Sequence, residues 1–268
     1  MTTLRSIQNR ITSLNEYFRR IYVNIFNISI LHCKFYGVKL KLHLKNDVDK
    51  RLFLYGFEKD IIRCFRKLIK KDDVVLDIGA NIGIYSLIAS ESIGKIGRIY
   101  AFEPANIAYS SLLYNIKLNR IDNIYPIKAG VSDHSGRAIF NICHDDAYNS
   151  LGEAPLKQII KSETIDLMSI DDFVINYKIA KVNVIKVDTE GAEYLVFKGA
   201  HKTLNKHKPI LFFEHNPIVT KGFSNSTHDL IELIRFHGYE LFEIKNGNLV
   251  RIEKDSTIIA SEIIGIKK

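Results

Sequence analysis

The segment Val74-Val-Leu-Asp-Ile-Gly-Ala-Asn-Ile-Gly-Ile-Tyr85 restricts this chain to a narrow set of folds. An apolar run of strand type stops at Asp77. Gly79, Asn81 and Gly83 follow, and residues 85–90 can then start a helix. This is a strand–turn–helix unit whose turn is nearly bare of side chains. Glycines there let main-chain N–H groups approach a ligand closely. The helix N-terminus behind them favours negative charge, such as a carboxylate. A second carboxylate, Glu103, closes the next strand, Arg98–Phe102, 24 positions after Gly79. An acid near that spacing suits the two hydroxyls of a ribose. Turn and acid together predict a nucleoside-bearing cofactor in an α/β fold.

The turn also selects among cofactors. A dinucleotide fingerprint needs G-x-G-x-x-G; here Asn81 stands at the middle glycine and Ile84 near the last. The Gly-Lys-Ser/Thr of a P-loop is missing. Asp-x-Gly-x-x-x-Gly, with Asp77 two residues before Gly79, suits S-adenosylmethionine. The amino-acid part of that cofactor carries an ammonium that wants a nearby carboxylate, and it has no pyrophosphate to cradle. The alternative is a tight turn with no ligand.

At 268 residues and 46% apolar content, the chain can build one enzyme-sized α/β domain behind a short preamble. We divide it into residues 1–50, an N-terminal helix and β hairpin, and residues 51–268, the cofactor-binding domain. Cys33, Cys64 and Cys143 are scattered and odd in number. They form neither a disulfide framework nor a metal-binding spacing, which points to a reducing compartment. No apolar run reaches the ~20 residues of a membrane span, and no export signal is expected. The expected location is cytoplasmic, with weak peripheral contact to the inner face of a membrane through the basic N-terminal helix. The net charge of +8 admits nucleic acid as a partner, but the lysines are dispersed along the chain.

The periodicities give a plan. Residues 3–20 suit an amphipathic helix, residues 33–45 a small hairpin and residues 57–70 a helix. Strands at 74–78, 98–102, 124–130, 182–187 and 209–213 alternate with helices at 84–92, 105–119, 192–204 and 227–237. A short β excursion spans 137–142, an irregular polar stretch runs to 161, and a short helix covers 169–176. A final hairpin spans 239–252. Strands alternating with helices imply a doubly wound, mostly parallel sheet with an antiparallel end. Ligands in such sheets sit beyond the carboxyl ends of the strands. Those ends supply Asp77–Gly83, Glu103, Ser132–Asp133, Asp188–Glu193 and Glu214–His215–Asn216.

Four strings carry a resemblance: Asp77-Ile-Gly-Ala-Asn-Ile-Gly83, Phe102-Glu103-Pro104, Gly130-Val-Ser-Asp133, and Ile185-Lys-Val-Asp-Thr-Glu-Gly-Ala-Glu193 followed by Lys198-Gly-Ala200. Over residues 55 to 245 the chain resembles the FkbM-type methyltransferases of the class I, seven-stranded, S-adenosylmethionine-dependent group. Thr189 departs from the valine common there. The resemblance implies a Rossmann-like sheet with an antiparallel seventh strand, and methyl transfer to a hydroxyl oxygen of a sugar or glycosylated metabolite. It also implies that Asp77, Gly79, Ala80, Asn81 and Gly83 hold the methionine end of the cofactor. Glu103 would take the ribose hydroxyls, and Ser132 and Asp133 would lie beside the adenine.

The sulfonium is already electrophilic, so the protein must align an oxygen and remove a proton. Asp188, Glu190 and His215 are the expected catalytic residues, with His144 and Glu193 as rivals for the base. Asp188, Glu190 and Glu214 could also hold a divalent metal, although none is predicted. Lys186 shares a strand face with Asp188 and can pair with one of these acids. The expected acceptor is a neutral sugar hydroxyl on a small molecule or glycan. The polar segment with Asn141, Asp145, Asp146, Asn149 and Ser150 would cover it. Two alternatives stay open: a nucleic-acid (RNA) methyltransferase and a non-catalytic cofactor-binding module. Against the first, Glu214-His-Asn-Pro217 lacks the second proline and the aromatic of the base-amino-methylation motif.

Overall fold

The computed structural model describes residues 28–56, 58–143, 149–152, 158–253 and 262–267. The expected helix at 3–20 and the residues His144, Asp145 and Asp146 lie outside the described residues.

A hairpin opens the described chain, with β1 (Ile30–Phe35) and β2 (Val38–His43) joined through Tyr36-Gly37. Helices α1 (Asp47–Tyr55) and α2 (Lys59–Leu68) follow. The strand–helix alternation then runs β3 (Val74–Ile78), α3 (Ile84–Ile93), β4 (Arg98–Phe102), α4 (Asn106–Asn119) and β5 (Ile124–Ile127). A three-stranded side sheet interrupts it: β6 (Gly130–Val131), β7 (Gly136–Cys143) and β8 (Ile159–Met168), in the order β6-β8-β7. The alternation resumes with α5 (Ile170–Asn176), β9 (Val184–Val187), α6 (Glu193–Lys198), α7 (His201–His207), β10 (Ile210–Glu214) and α8 (Thr227–Phe236). Strands β11 (Glu240–Lys245), β12 (Asn248–Arg251) and β13 (Glu262–Ile266) finish the chain.

The main sheet has the order β12-β11-β13-β10-β9-β3-β4-β5. Strands β5, β4, β3, β9 and β10 are parallel. Strand β13 is antiparallel to both β10 and β11, so β11 runs with the parallel set. This is the expected doubly wound α/β architecture, with one change at its end. The antiparallel strand beside β10 is β13, not part of the 239–252 hairpin. Its buried Ile263 and Ile264 make it an inner strand, and β12 takes the edge.

Side-chain alternation splits the sheet between two cores. Val75, Ile99, Val184, Phe212 and Ile264 face α1, α2, α3, α4 and the β1–β2 hairpin. Leu76, Ile78, Phe102, Ile185, Val187 and Phe213 face α5, α6, α7 and α8. The first hairpin therefore shares a core with the turn after β3.

Three other expectations change. The helix at 192–204 is two helices, broken at Gly199-Ala200. A Cβ on Gly199 would stand 2.2 Å from the carbonyl oxygen of Ser132, so the chain must pass bare at this point. The strand at 124–130 ends at Ile127, and Gly130–Val131 joins the side sheet instead. The stretch expected to be irregular up to 161 contains the start of β8, whose first half is exposed and gives no alternation to read.

Candidate active site

The chain winds outward from β3 in both directions: β4 and β5 lie on one side, β9 and β10 on the other. The crevice at such a switch point is where open α/β sheets hold ligands. Here the crevice is a cavity of about 700 Å³, lined from the ends of β3, β4, β9, β10 and β13 and from α1 and the start of α2.

The turn after β3 forms one wall. Gly79 has φ 77° and Gly83 φ 91°, conformations costly for residues with a Cβ. A Cβ at Gly79 would fall 1.9 Å from the Asp188 carbonyl oxygen, and one at Gly83 2.5 Å from Leu112 Cδ1. The turns after β3 and β9 thus touch through Gly79. Gly79 and Ala80 both donate their N–H to the Phe102 carbonyl, at 3.0 and 2.9 Å. Glu103 closes the turn: its Oε2 accepts from Asn81 N–H at 2.9 Å and its Oε1 from Ala105 N–H at 2.8 Å.

Asp77 lies beneath the turn, 1% exposed. Its Oδ2 accepts from Ser86 Oγ at 2.5 Å, and its Oδ1 is buried with no partner among the described residues. Burial pushes its pKa up, against the pull of Lys186. A buried carboxylate with one orphan oxygen, under a turn too tight for side chains, fits the ammonium end of S-adenosylmethionine. Glu103 at the neighbouring strand end fits its ribose.

The opposite wall is acidic. Lys186 and Asp188 share a strand face, and Lys186 Nζ donates to Asp188 Oδ2 at 2.9 Å. The ammonium also lies 4.7 Å from the centre of the Tyr85 ring. Burial opposes the Lys186 charge, but Asp188, Asp77 and Glu262 overcome it and hold the pKa above its ordinary value. Glu190 has φ 54° and lines the cavity, a strained backbone for a non-glycine residue. Burial, then Asp188 and Glu214, push its pKa to about 9. Glu214 rises to about 8 by burial and then by Asp188 and Glu193. Asn216 Nδ2 donates to Glu214 Oε1 at 3.2 Å, while Oε2 is buried without a partner among the described residues. One carboxylate oxygen each from Asp188, Glu190 and Glu214 lies within 4.8 Å of the others, so the trio could hold a divalent cation.

Two further acids complete this wall. Glu58 has φ 38° and accepts a hydrogen bond from the Tyr85 hydroxyl. Glu262 is the register partner of Glu214 across β13 and β10. Burial raises the pKa of both. No motif marks either in the sequence.

Several expected site residues stand elsewhere. Glu193 is buried and accepts from Thr189 N–H at 2.8 Å and Thr189 Oγ1 at 2.9 Å, which makes it a brace for the loop. His215 is half-buried and does not line the cavity. Glu214 and Asn216 do; in extended chain the residue between two that face inward points away. Ser132 and Asp133 do not reach the cavity either. Ser132 N–H is drawn to the Met168 carbonyl at 3.2 Å, while Asp133 binds Lys198 Nζ and His134 Nδ1, each at 2.8 Å. Lys198 and then His134 lower the Asp133 pKa to about 2. Ala129, Gly130 and Val131 line that part of the cavity instead.

Known proteins share this sequence pattern. The hexuronic acid methyltransferase AglP of Haloferax volcanii is 31% identical over 150 residues, 55% of this chain and 58% of that protein. The tRNA(Phe) (4-demethylwyosine(37)-C(7)) aminocarboxypropyltransferase of Methanocaldococcus jannaschii is 30% identical over 152 residues, 53% of this chain and 58% of that protein. The chain thus matches 58% of the length of either relative. A solved FkbM methyltransferase from Methylobacillus flagellatus is 19% identical with a TM-score of 0.48, over 75% of this chain and 47% of that one. A family profile described as the methyltransferase FkbM domain matches residues 77–241, which include Glu103, Asp188, Glu190 and Glu214. The chain belongs to the FkbM family of S-adenosylmethionine-dependent methyltransferases.

Proposed function

We propose that this chain transfers a methyl group to a hydroxyl oxygen of a sugar, glycan or glycosylated metabolite. The observation that carries the proposal is the contact at Gly79: the cofactor turn and the acid-bearing turn after β9 meet there, around one cavity. The similarity to a hexuronic acid methyltransferase supports a sugar acceptor.

When bound, S-adenosylmethionine supplies an electrophilic methyl on a sulfonium. Gly79, Ala80 and Asn81 would hold its amino-acid end, with Asp77 and Gly83 supporting the turn from behind, and Glu103 would accept from its ribose hydroxyls. Ala129, Gly130 and Val131 would line the space for its adenine. Asp188, oriented by Lys186, accepts a hydrogen bond from the acceptor hydroxyl and aligns its oxygen. Glu190 receives the proton. Its raised pKa makes it a better match for an alcohol proton than an ordinary glutamate.

The test is to incubate the chain with methyl-labelled cofactor and glycans extracted from its host, then map the labelled oxygen by mass spectrometry. Label on a sugar oxygen is expected. Label on RNA, with sugars untouched, would overturn the proposal.

A further inference from the structure

Asn115 of α4 is fully buried, although asparagine is a poor helix former and costly to bury without partners. Both ends of its amide are occupied. Oδ1 accepts from the Lys41 N–H of β2 at 2.9 Å, and Nδ2 donates to the Ile82 carbonyl at 3.0 Å. One partner is a donor and the other an acceptor, so together they fix which way the amide points.

The bond to Lys41 belongs to a docked strand edge. Asn119 Oδ1 accepts from Lys39 N–H at 2.8 Å, and its Nδ2 donates to the Lys39 carbonyl at 2.7 Å. Two residues of strand advance about 6.8 Å and four residues of helix about 6 Å. Lys39 and Lys41 therefore meet Asn119 and Asn115 in step, and α4 takes the place of a third strand on the β2 edge.

The bond to Ile82 belongs to the turn after β3. Ile82 lines the cavity with Gly79, Ala80 and Asn81. The peptide unit between Ile82 and Gly83 is held at both poles: its carbonyl accepts from Asn115, and its N–H donates to the Ala80 carbonyl at 2.8 Å. Leu112, three residues before Asn115, fills the space that a Cβ on Gly83 would need. Asn81 stands in this turn at φ 50°, a conformation that persists only where its surroundings hold it.

We propose that Asn115 is a positioning residue for the cofactor: it ties the turn after β3 to the β1–β2 hairpin, which lies outside the family segment 77–241, and so holds the turn in its binding shape. This rests on that turn holding the amino-acid end of S-adenosylmethionine.

Calorimetry with S-adenosylhomocysteine tests it. Asn115→Ala leaves the Ile82 carbonyl and the Lys41 N–H unpaired and should weaken binding about tenfold. Asn119→Ala strips the same hairpin edge without touching the turn; it should lower Tm and change binding less than about twofold. Equal weakening in the two variants would reduce Asn115 to support of the hairpin and overturn the proposal. Unchanged binding in Asn115→Ala, with binding weakened in Glu103→Ala, would overturn the proposal alone. Unchanged binding in both Asn115→Ala and Glu103→Ala would overturn the reading of the turn as well.

A second measurement uses the unaltered chain. If the hairpin holds the turn through Asn115, a ligand on the turn must hold the hairpin in return. S-adenosylhomocysteine should slow hydrogen exchange at the Lys41 amide about tenfold more than at the Lys39 amide, whose partner is Asn119. Equal slowing at the two amides is what any bound ligand produces through global stability, and would overturn the proposal.

Discussion

The two walls of the cavity are built on opposite terms. On the cofactor side, backbone N–H groups occupy both oxygens of Glu103, and glycine supplies the positive φ where the turn is tightest. On the acidic side, Glu58 and Glu190 hold positive φ without glycine, and one oxygen of Glu214 is buried without a partner among the described residues. Its acids crowd one another until burial and mutual repulsion drive their pKa values up. The first wall holds Asn81 at φ 50° and leaves one buried oxygen of Asp77 without a partner among the described residues; the second adds two strained glutamates at the place where chemistry is proposed. The first also lies within one short stretch of sequence, whereas the second is assembled from the two flanks of the family segment as well as its middle.

The largest effect should come from the acceptor wall. Asp188→Asn keeps the shape of the side chain, removes its charge and weakens the pull on Lys186. Turnover should fall on the order of 100-fold or more, while the affinity for S-adenosylhomocysteine changes little. Wild-type turnover should climb as the cluster gives up its protons, in the range leading to about 8 and 9 set by Glu214 and Glu190. A chelator in the same assay tests the cation option: lost activity restored by Mg²⁺ would mean that Asp188, Glu190 and Glu214 act as ligands. Full turnover in Asp188→Asn would erase the functional contrast between the walls.

The cofactor wall should respond in the opposite sense. Glu103→Ala removes a carboxylate proposed to take the ribose hydroxyls and leaves the Asn81 and Ala105 N–H groups unpaired. The loss of one charge-assisted hydrogen bond is worth roughly 1.5–3 kcal/mol, or about 10–150-fold in affinity. Calorimetry with S-adenosylhomocysteine on folded protein measures it. Unchanged binding would move the ribose elsewhere, whatever the fate of turnover.

The same asymmetry explains what the sequence reveals. Strands β3 and β4 fall on the residues expected because each is an apolar run ended by a breaker, and their acids follow a local spacing. Asp77, Gly79, Gly83 and Glu103 could be found that way. Asp188 and Glu190 could be found from their string after a buried strand. Glu58 and Glu262 could not, because only the sheet register and the approach of α2 bring them to the cavity. Helix α1 carries no such signal, because its buried Leu52, Phe53 and Leu54 are consecutive and show no helical spacing. His215 shows the reverse error: nearness in sequence to a strand end does not decide which side of the chain a residue faces.

Asp133 is where the two walls and their surroundings part most clearly, and the smallest effect is expected there. The sequence motif sets it beside the adenine, where its carboxylate would accept from the exocyclic amine. In the structure that carboxylate is committed to Lys198 and His134, and the adjoining chain runs along β8. The Lys198 side chain is 53% exposed and that of Asp133 22%, so solvent screens much of the pair and its worth is at most about 1 kcal/mol. Asp133→Asn should therefore change cofactor affinity less than about twofold and leave Tm within a few degrees. The comparison with Glu103→Ala in one calorimetric series is decisive. If Asp133→Asn instead weakens binding as strongly as Glu103→Ala, the loop after β6 must turn toward the cavity when the cofactor is bound, releasing Lys198 and giving Asp133 to the adenine.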